Sequence, residues 1–197
     1  MGKTISFLPI NINFDKITTI DYRRVFLENS YVFLTIVTSK RRKILVKNIE
    51  IIKNAISKVI KKYNCELFAI CILLDHLHLI IKPYEISDYP IIVSQIKMNF
   101  SRNIDIKSIE NYSLSKSKNS KRELDVWQRR YWEHTILSEN DLYKHLDYIH
   151  YNPMKHYNIA PKDWRYSSFK KFVKLKYYEE NWCNLQNKYD INSMNLE

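Results

Sequence analysis

The stretch Leu67-Phe-Ala-Ile-Cys-Ile-Leu-Leu-Asp-His-Leu-His-Leu-Ile-Ile-Lys82 decides the fold. From Leu67 to Leu74 it is continuously apolar, the pattern of a strand buried on both faces. Asp75 supplies a turn residue, and His76 to Lys82 reads as a further strand that Pro83 ends. One long bent strand would carry the same letters. Within the second half, His76 and His78 stand at i and i+2. On a strand such side chains share a face, with origins roughly 6.5 Å apart.

Working outward, Tyr31-Val-Phe-Leu-Thr-Ile-Val-Thr38 is rich in β-branched and aromatic residues and reads as a strand, followed by a loop with Arg41, Arg42 and Lys43. Ile49, Ile52, Ile56, Val59 and Ile60 recur at helical spacing, which predicts an amphipathic helix over 46–63. A second helix is expected over 91–104. Residues 105–125 are polar, with Ser113 to Ser120 as the candidate mobile loop. The segment 126–136 reads as a strand or extended stretch. Ser138 is a good N-cap for a helix that runs to about Tyr151 and stops at Pro153. The order β-α-β-β-α-β-α predicts an α+β, ferredoxin-like sandwich with a largely antiparallel sheet covered by helices. Residues 1–20 read as an N-terminal arm, 21–175 as one catalytic domain and 176–197 as a C-terminal tail, with Trp164 and Phe169 packing back on the domain.

The 197 residues include 45% hydrophobic and 14% aromatic side chains, enough for a core of one domain. Gly2 is the sole glycine, so tight turns must rely on Asn, Asp, Ser and Pro. The net charge of +11 points to a polyanionic partner, although Lys, Asn and Ile richness also has the look of AT-rich coding. Cys65, Cys71 and Cys183 make no CxxC pair, which argues against a structural zinc site or a disulfide framework. The longest apolar run falls far short of the roughly 20 residues of a membrane span. No leader pattern is visible, and the opening Met-Gly-Lys-Thr-Ile-Ser is a chance match to a myristoylation pattern. A cytoplasmic, nucleoid-associated protein is expected.

A bare His-x-His is a weak motif, and two histidines on an exposed strand face would satisfy it equally. Its apolar flanks, however, put this pair on a core strand. Two imidazoles leave coordination positions open, so an oxygen donor would complete a site for Mg²⁺ or Mn²⁺. The helix after Ser138 offers one. With Leu142, Leu146 and Ile149 facing the core, Asp141, His145, Tyr148 and Asn152 cluster on one flank at about 100° per residue. Tyr151 then points away from the core and His150 lies on the opposite flank. A tyrosine hydroxyl, with an ordinary pKa of about 10, needs help to attack phosphorus, which a nearby cation provides. Trp127, Gln128, Arg129 and Arg130 interleave rings with donors, suited to stacking on unpaired bases or, equally, to a core tryptophan beside exposed arginines.

Four segments together carry a resemblance: Tyr22-Arg-Arg24 leading into Tyr31-Val-Phe-Leu-Thr35; Leu74-Asp-His-Leu-His-Leu-Ile80; Trp127-Gln-Arg-Arg-Tyr-Trp-Glu-His134; and Asp147-Tyr-Ile-His-Tyr-Asn-Pro-Met-Lys-His156. In this order they resemble the REP-associated tyrosine transposases of the single-tyrosine HUH superfamily. The resemblance runs from about Tyr22 to Phe169. It implies a metal-dependent nickase and strand transferase acting on single-stranded DNA with REP-like hairpins, through a 5′-phosphotyrosine and a free 3′-hydroxyl. It also implies His76 and His78 as the metal pair, Tyr148 as the nucleophile and Asn152 as the metal-assisting residue. Arg23, Arg24, Arg41, Arg42, Trp127, Gln128, Arg129, Arg130 and Lys155 are then the candidate DNA contacts. A single chain carrying all catalytic parts is expected to work as a monomer. The sequence departs from the family at Glu28-Asn-Ser30, where Gly-Gly is frequent, and at Leu74, where proline is frequent. A non-catalytic hairpin DNA- or RNA-binding protein of the same fold is the alternative, and a hydrolytic phosphoesterase is disfavoured by the lack of a second paired-histidine motif.

Overall fold

The computed structural model describes residues 27–109 and 124–183. Arg23, Arg24, the N-terminal arm and the Ser113–Ser120 loop lie outside the described residues. Within them, β1 (Val32–Val37), α1 (Ile49–Lys62), β2 (Glu66–Ile72), β3 (His76–Lys82), α2 (Tyr89–Asn103), β4 (Trp132–Thr135), α3 (Glu139–Tyr157) and α4 (Phe169–Lys174) follow one another. The sheet order is β2-β3-β1-β4, and every neighbouring pair is antiparallel. Two interleaved split βαβ units give this order, the ferredoxin-like arrangement expected from the element sequence.

The period-two alternation of β1 and β3 builds two cores on opposite faces of the sheet. Val32, Leu34 and Ile36 join Leu77, Leu79 and Ile81 beneath α1 and α2, where Ile52, Ile56, Ile92, Ile96 and Phe100 pack. Phe33 and Ile80 face the other way, onto Leu142, Leu146 and Ile149 of α3 and onto Phe169 and Phe172 of α4. His76 and His78 share the parity of Ile80 and therefore face α3. The turn between β2 and β3 is short, closed by the Leu73 amide donating to the His76 carbonyl at 2.8 Å, so the stretch is a hairpin and not one bent strand.

Asparagine does the work that glycine would do elsewhere. Asn64 and Asn158 adopt left-handed backbone (φ 44° and 56°) just past α1 and α3. There they let the Cys65 amide reach back to the Ile60 carbonyl and the Asn158 amide to the Met154 carbonyl. Asn tolerates this region better than other residues with a Cβ.

Three expectations are corrected. The helix does not stop at Pro153: α3 continues to Tyr157 with the proline inside it. Pro153 forfeits one backbone bond, but the last turn is held by packing. Met154 is buried, the Tyr157 hydroxyl accepts from the Leu74 amide at 3.1 Å, and the Tyr157 ring stacks on Trp164. Second, the extended segment 126–136 forms a strand only at Trp132–Thr135, with Trp127 in an isolated bridge to Thr38. Third, Tyr151 is buried, because the chain from Phe169 to Cys183 folds over the far side of α3. His150 is buried there as well, its ring nitrogens 2.9 Å from Ser168 Oγ and 3.2 Å from the Tyr178 hydroxyl.

Candidate active site

β3 presents His76 and His78 side by side, with ring centroids 5.0 Å apart and planes at 89°. Both rings are held through Nδ1. His76 Nδ1 is 2.6 Å from Asp75 Oδ1, and His78 Nδ1 is 2.9 Å from Thr35 Oγ1, its register partner on β1. Nε2 is then the atom each ring would give to a ligand, an arrangement usual for histidines that bind metal ions. Burial pushes Asp75 up, but the His76 hydrogen bond and charge, with Arg41 beyond, bring its carboxyl below the usual range. His78 is fully buried, and burial, followed by the neighbouring His76 and His156, holds its pKa well below that of an ordinary imidazole. A neutral ring is the form that ligates a metal.

α3 crosses this pair and lays Tyr148, Asn152 and His156 along one stripe at i, i+4 and i+8. The Tyr148 ring meets His78 edge-on at 5.4 Å and Phe33 at 5.9 Å. Asn152 Nδ2 donates to the Tyr148 carbonyl at 2.7 Å, while its buried Oδ1 is turned to the His78 imidazole, which it favours in the charged form against burial, without a well-formed hydrogen bond. A buried carboxamide oxygen in that position is costly unless something else uses it. His156 lies 4.9 Å from His76, ring to ring. Lys155 returns two turns along the helix so that Nζ donates to the Tyr148 hydroxyl at 3.4 Å and sits 4.9 Å over its ring. The donor set of two imidazoles and one amide oxygen fits a borderline divalent ion.

Upstream, Asp141 joins α3 to β4. Its carboxylate lies 2.8 Å from His134 Nε2 and 3.0 Å from His145 Nδ1, and accepts the Leu137 amide at 2.9 Å. Burial would raise its pKa; the two imidazole bonds and the amide outweigh it and hold the carboxyl far below the usual range. The ligand atoms of His134, Asp141 and His145 lie within 4.8 Å of one another, close enough for a metal ion. The two rings, however, are stacked at 4.5 Å with planes only 15° apart. An ion in the plane of one ring would lie well out of the plane of the other, so this group serves better as a hydrogen-bonded clamp. His145 packs against Phe33 at 4.8 Å, which passes the clamp's position on to Tyr148 and His78.

A family model described as "Transposase IS200 like" matches residues 26–152, from the approach to β1 through Asn152. The chain belongs to that family. A Haemophilus influenzae protein, named provisionally as a REP-associated tyrosine transposase, is 41% identical over 165 residues, covering 82% of this chain and 92% of that one. The REP-associated tyrosine transposase of Escherichia coli K12 is 28% identical over 166 residues, covering 83% and 90%. Among solved structures, a REP-associated tyrosine transposase bound to a REP hairpin superposes with a TM-score of 0.67 at 26% identity, covering 88% of this chain and 96% of that one. The REP-associated tyrosine transposases are thus the group within which this transposase falls, and the ferredoxin-like α+β fold is shared.

The transposase fold distributes the predicted DNA contacts unevenly. Gln128, Arg129 and Arg130 are exposed. Trp127 is not: it is 7% exposed, its indole N–H donates to the Lys97 carbonyl at 3.0 Å, and Phe100 meets it edge-on. It anchors the 124–131 segment to α2, so its ring has no face to offer a base. Arg42 is likewise consumed, its guanidinium paired with Asp125 at 3.1 Å and only 9% exposed. Arg41 is 55% exposed and loosely paired with Asp75 at 3.4 Å, beside the histidine pair. Lys155 belongs to the tyrosine and not to an outlying surface. Sequence reading missed Thr35 and His156. Thr35 carries no local signal, since its partner is 43 residues away, while His156 would have followed from extending the stripe one turn past Pro153. Among the described residues no helix is long and apolar enough to cross a membrane.

Proposed function

We propose that this transposase nicks and rejoins single-stranded DNA beside a hairpin, with Tyr148 as nucleophile. The observation that carries the reading is the packing of the Tyr148 ring against His78, with Asn152 one turn further along α3 and its buried Oδ1 turned to the same imidazole. All these parts lie on one chain, which supports action as a monomer. A hairpin is the substrate class because a solved relative with 26% identity is described as bound to one, and +11 net charge suits a phosphate backbone. His76, His78 and Asn152 would hold a divalent ion, Mg²⁺ or Mn²⁺. When bound, such an ion polarises the scissile phosphate and withdraws charge from it.

The chain's own residues do the rest. Phe33, stacked beside His78 and edge-on to Tyr148, fixes the angle between nucleophile and histidines. Asp75 and Thr35 fix the two imidazoles. Tyr148 Oη attacks phosphorus, the bond to the 3′-oxygen breaks, and a 5′-phosphotyrosine and a 3′-hydroxyl result; the reverse step rejoins DNA without an external energy source. The test mixes protein, Mn²⁺ and a fluorescent single-stranded hairpin oligonucleotide from intergenic DNA flanking the gene. A protein–DNA adduct on a denaturing gel that is lost in Tyr148→Phe supports the reading. An adduct that persists in that variant refutes it, and hairpin binding without any adduct favours a non-catalytic binding protein.

A further inference from the structure

We propose that Lys155 is a catalytic residue of this transposase: its ammonium stabilises the negative charge that the Tyr148 oxygen carries as it attacks. The inference rests on the reading of Tyr148 as nucleophile and adds a role that the histidine pair does not fill. Three observations converge on it. Lys155 Nζ donates to Tyr148 Oη at 3.4 Å, so it touches the reacting atom. The same ammonium lies 4.9 Å over the tyrosine ring, where the ring's negative face holds it whatever the state of the hydroxyl. Finally, Tyr148 is 1% exposed while Lys155 is an exposed residue, so the buried phenol is met by a side chain that comes from the surface.

A cation at the attacking oxygen adds charge at the phenol itself, beside whatever a divalent ion would supply. An ion held by His76, His78 and Asn152 would polarise the phosphate, and Lys155 adds counter-charge at the phenol oxygen. The surroundings favour that division. Phe33 and His78 wall the ring on the sheet side, and the Lys155 ammonium reaches the hydroxyl. A charge in such a partly enclosed place is stabilised more strongly than in water. The step balances without a further reagent. The Oη–P bond forms as the P–O3′ bond breaks, the phenolic proton passes to solvent, the 3′-oxygen takes one from solvent, and Lys155 supplies charge but no proton. In the rejoining direction the same ammonium stabilises the departing phenol oxygen, so both directions are accelerated alike.

A lysine that only clamps a phosphate makes a different prediction, and the two are separable. Adduct formation is followed under single turnover with the full-length chain, Mn²⁺ and the flanking-hairpin oligonucleotide at saturation, while affinity for the same oligonucleotide is measured by fluorescence anisotropy over a range of salt. For Lys155→Met the rate at saturation falls about 100-fold, at the lower edge of the effect of removing one oxyanion donor, with affinity within about threefold of the parent. Lys155→Arg, which keeps the charge within reach, stays within about tenfold of the parent rate. Thermal unfolding of all variants checks that the fold is retained, as expected for an exposed side chain. If Lys155→Met keeps the parent rate and instead loses affinity and about 0.7 of the salt slope, Lys155 is a phosphate clamp and the proposal fails. If Lys155→Arg is as slow as Lys155→Met, the charge is not what matters and the proposal fails too. Tyr148→Phe is the control on the underlying reading: an adduct surviving there removes the nucleophile, whereas its loss together with an unaffected Lys155→Met removes only the role given to the lysine.

Discussion

Replacing Asp141 by asparagine removes one charge and almost no volume, and its cost can be worked from the clamp. The Asp141 carboxylate accepts from His134 at 2.8 Å and from the Leu137 amide at 2.9 Å, while His145 Nδ1, 3.0 Å from the carboxylate, also bonds the Asp141 backbone carbonyl at 2.9 Å. Hydrogen bonds to a charged group contribute about 1.5–3 kcal/mol each. The asparagine side chain could still accept one or two of these bonds, but as a neutral group. The carboxylate also sits in the first turn of α3, where a negative charge is favoured by about 0.3–1 kcal/mol. The Asp141 side chain is 21% exposed and that of His134 33%, so solvent screens part of the gain. A loss of about 2–3 kcal/mol at pH 7 is therefore expected from urea unfolding followed by circular dichroism. The pH dependence follows from the depressed carboxyl of Asp141. The unfolded chain takes up its proton near pH 3.9 and the folded one only lower, so the stabilisation is present above about pH 4 and is lost as pH falls through the folded value. The gap between parent and Asp141→Asn should shrink below about pH 4. A gap under about 0.5 kcal/mol at pH 7, on the scale of an ordinary surface change, or one that does not shrink below about pH 4, would refute the clamp.

Three further outcomes bear on the site and its surroundings. Thr35→Val keeps the shape of a buried side chain but drops the hydroxyl at His78 Nδ1; calorimetric titration with Mn²⁺ should show about 10- to 100-fold weaker binding, and unchanged affinity would mean that Thr35 does not orient the ligand. Trp127→Ala should cost about 3–5 kcal/mol in urea unfolding and leave hairpin affinity of the folded protein alone. The Arg129→Ala/Arg130→Ala pair should do the reverse, leaving stability unchanged and lowering the salt slope by up to about 1.4, whereas a Trp127 variant that binds weakly while fully folded would return that ring to the DNA.

Trp127 and Arg42 mark where reading by letters runs out. Each sits in a basic or aromatic cluster that suits nucleic acid, and each is spent on internal structure, Trp127 on the Lys97 carbonyl and Arg42 on Asp125. The partners lie 30 and 83 residues away in sequence, so no local pattern distinguishes a ring against the core from one offered to a base. Pro153 shows the same limit for the backbone. Its local effect is to end a helix, and the burial of Met154 with the contacts of Tyr157 to Leu74 and Trp164 overrides it, bringing Lys155 and His156 to the site.

What the sequence by itself determined is whatever depends on short-range periodicity. Two histidines at i and i+2 on an apolar strand must share a face, a tyrosine and an asparagine at i and i+4 on a helix must be neighbours, and the order of elements restricts the sheet to few arrangements. Those relations are set by backbone geometry within a few residues and survive any packing. The tertiary structure alone decided which face of the sheet meets which helix, that Thr35 and Asp75 tie down the two imidazoles, and that a lysine two turns beyond Tyr148 reaches its hydroxyl. The Thr35 contact depends on the register of strands 43 residues apart, and that of Lys155 on the packing that carries α3 past Pro153; neither has a local signature, whereas Asp75 stands next to His76 in the chain.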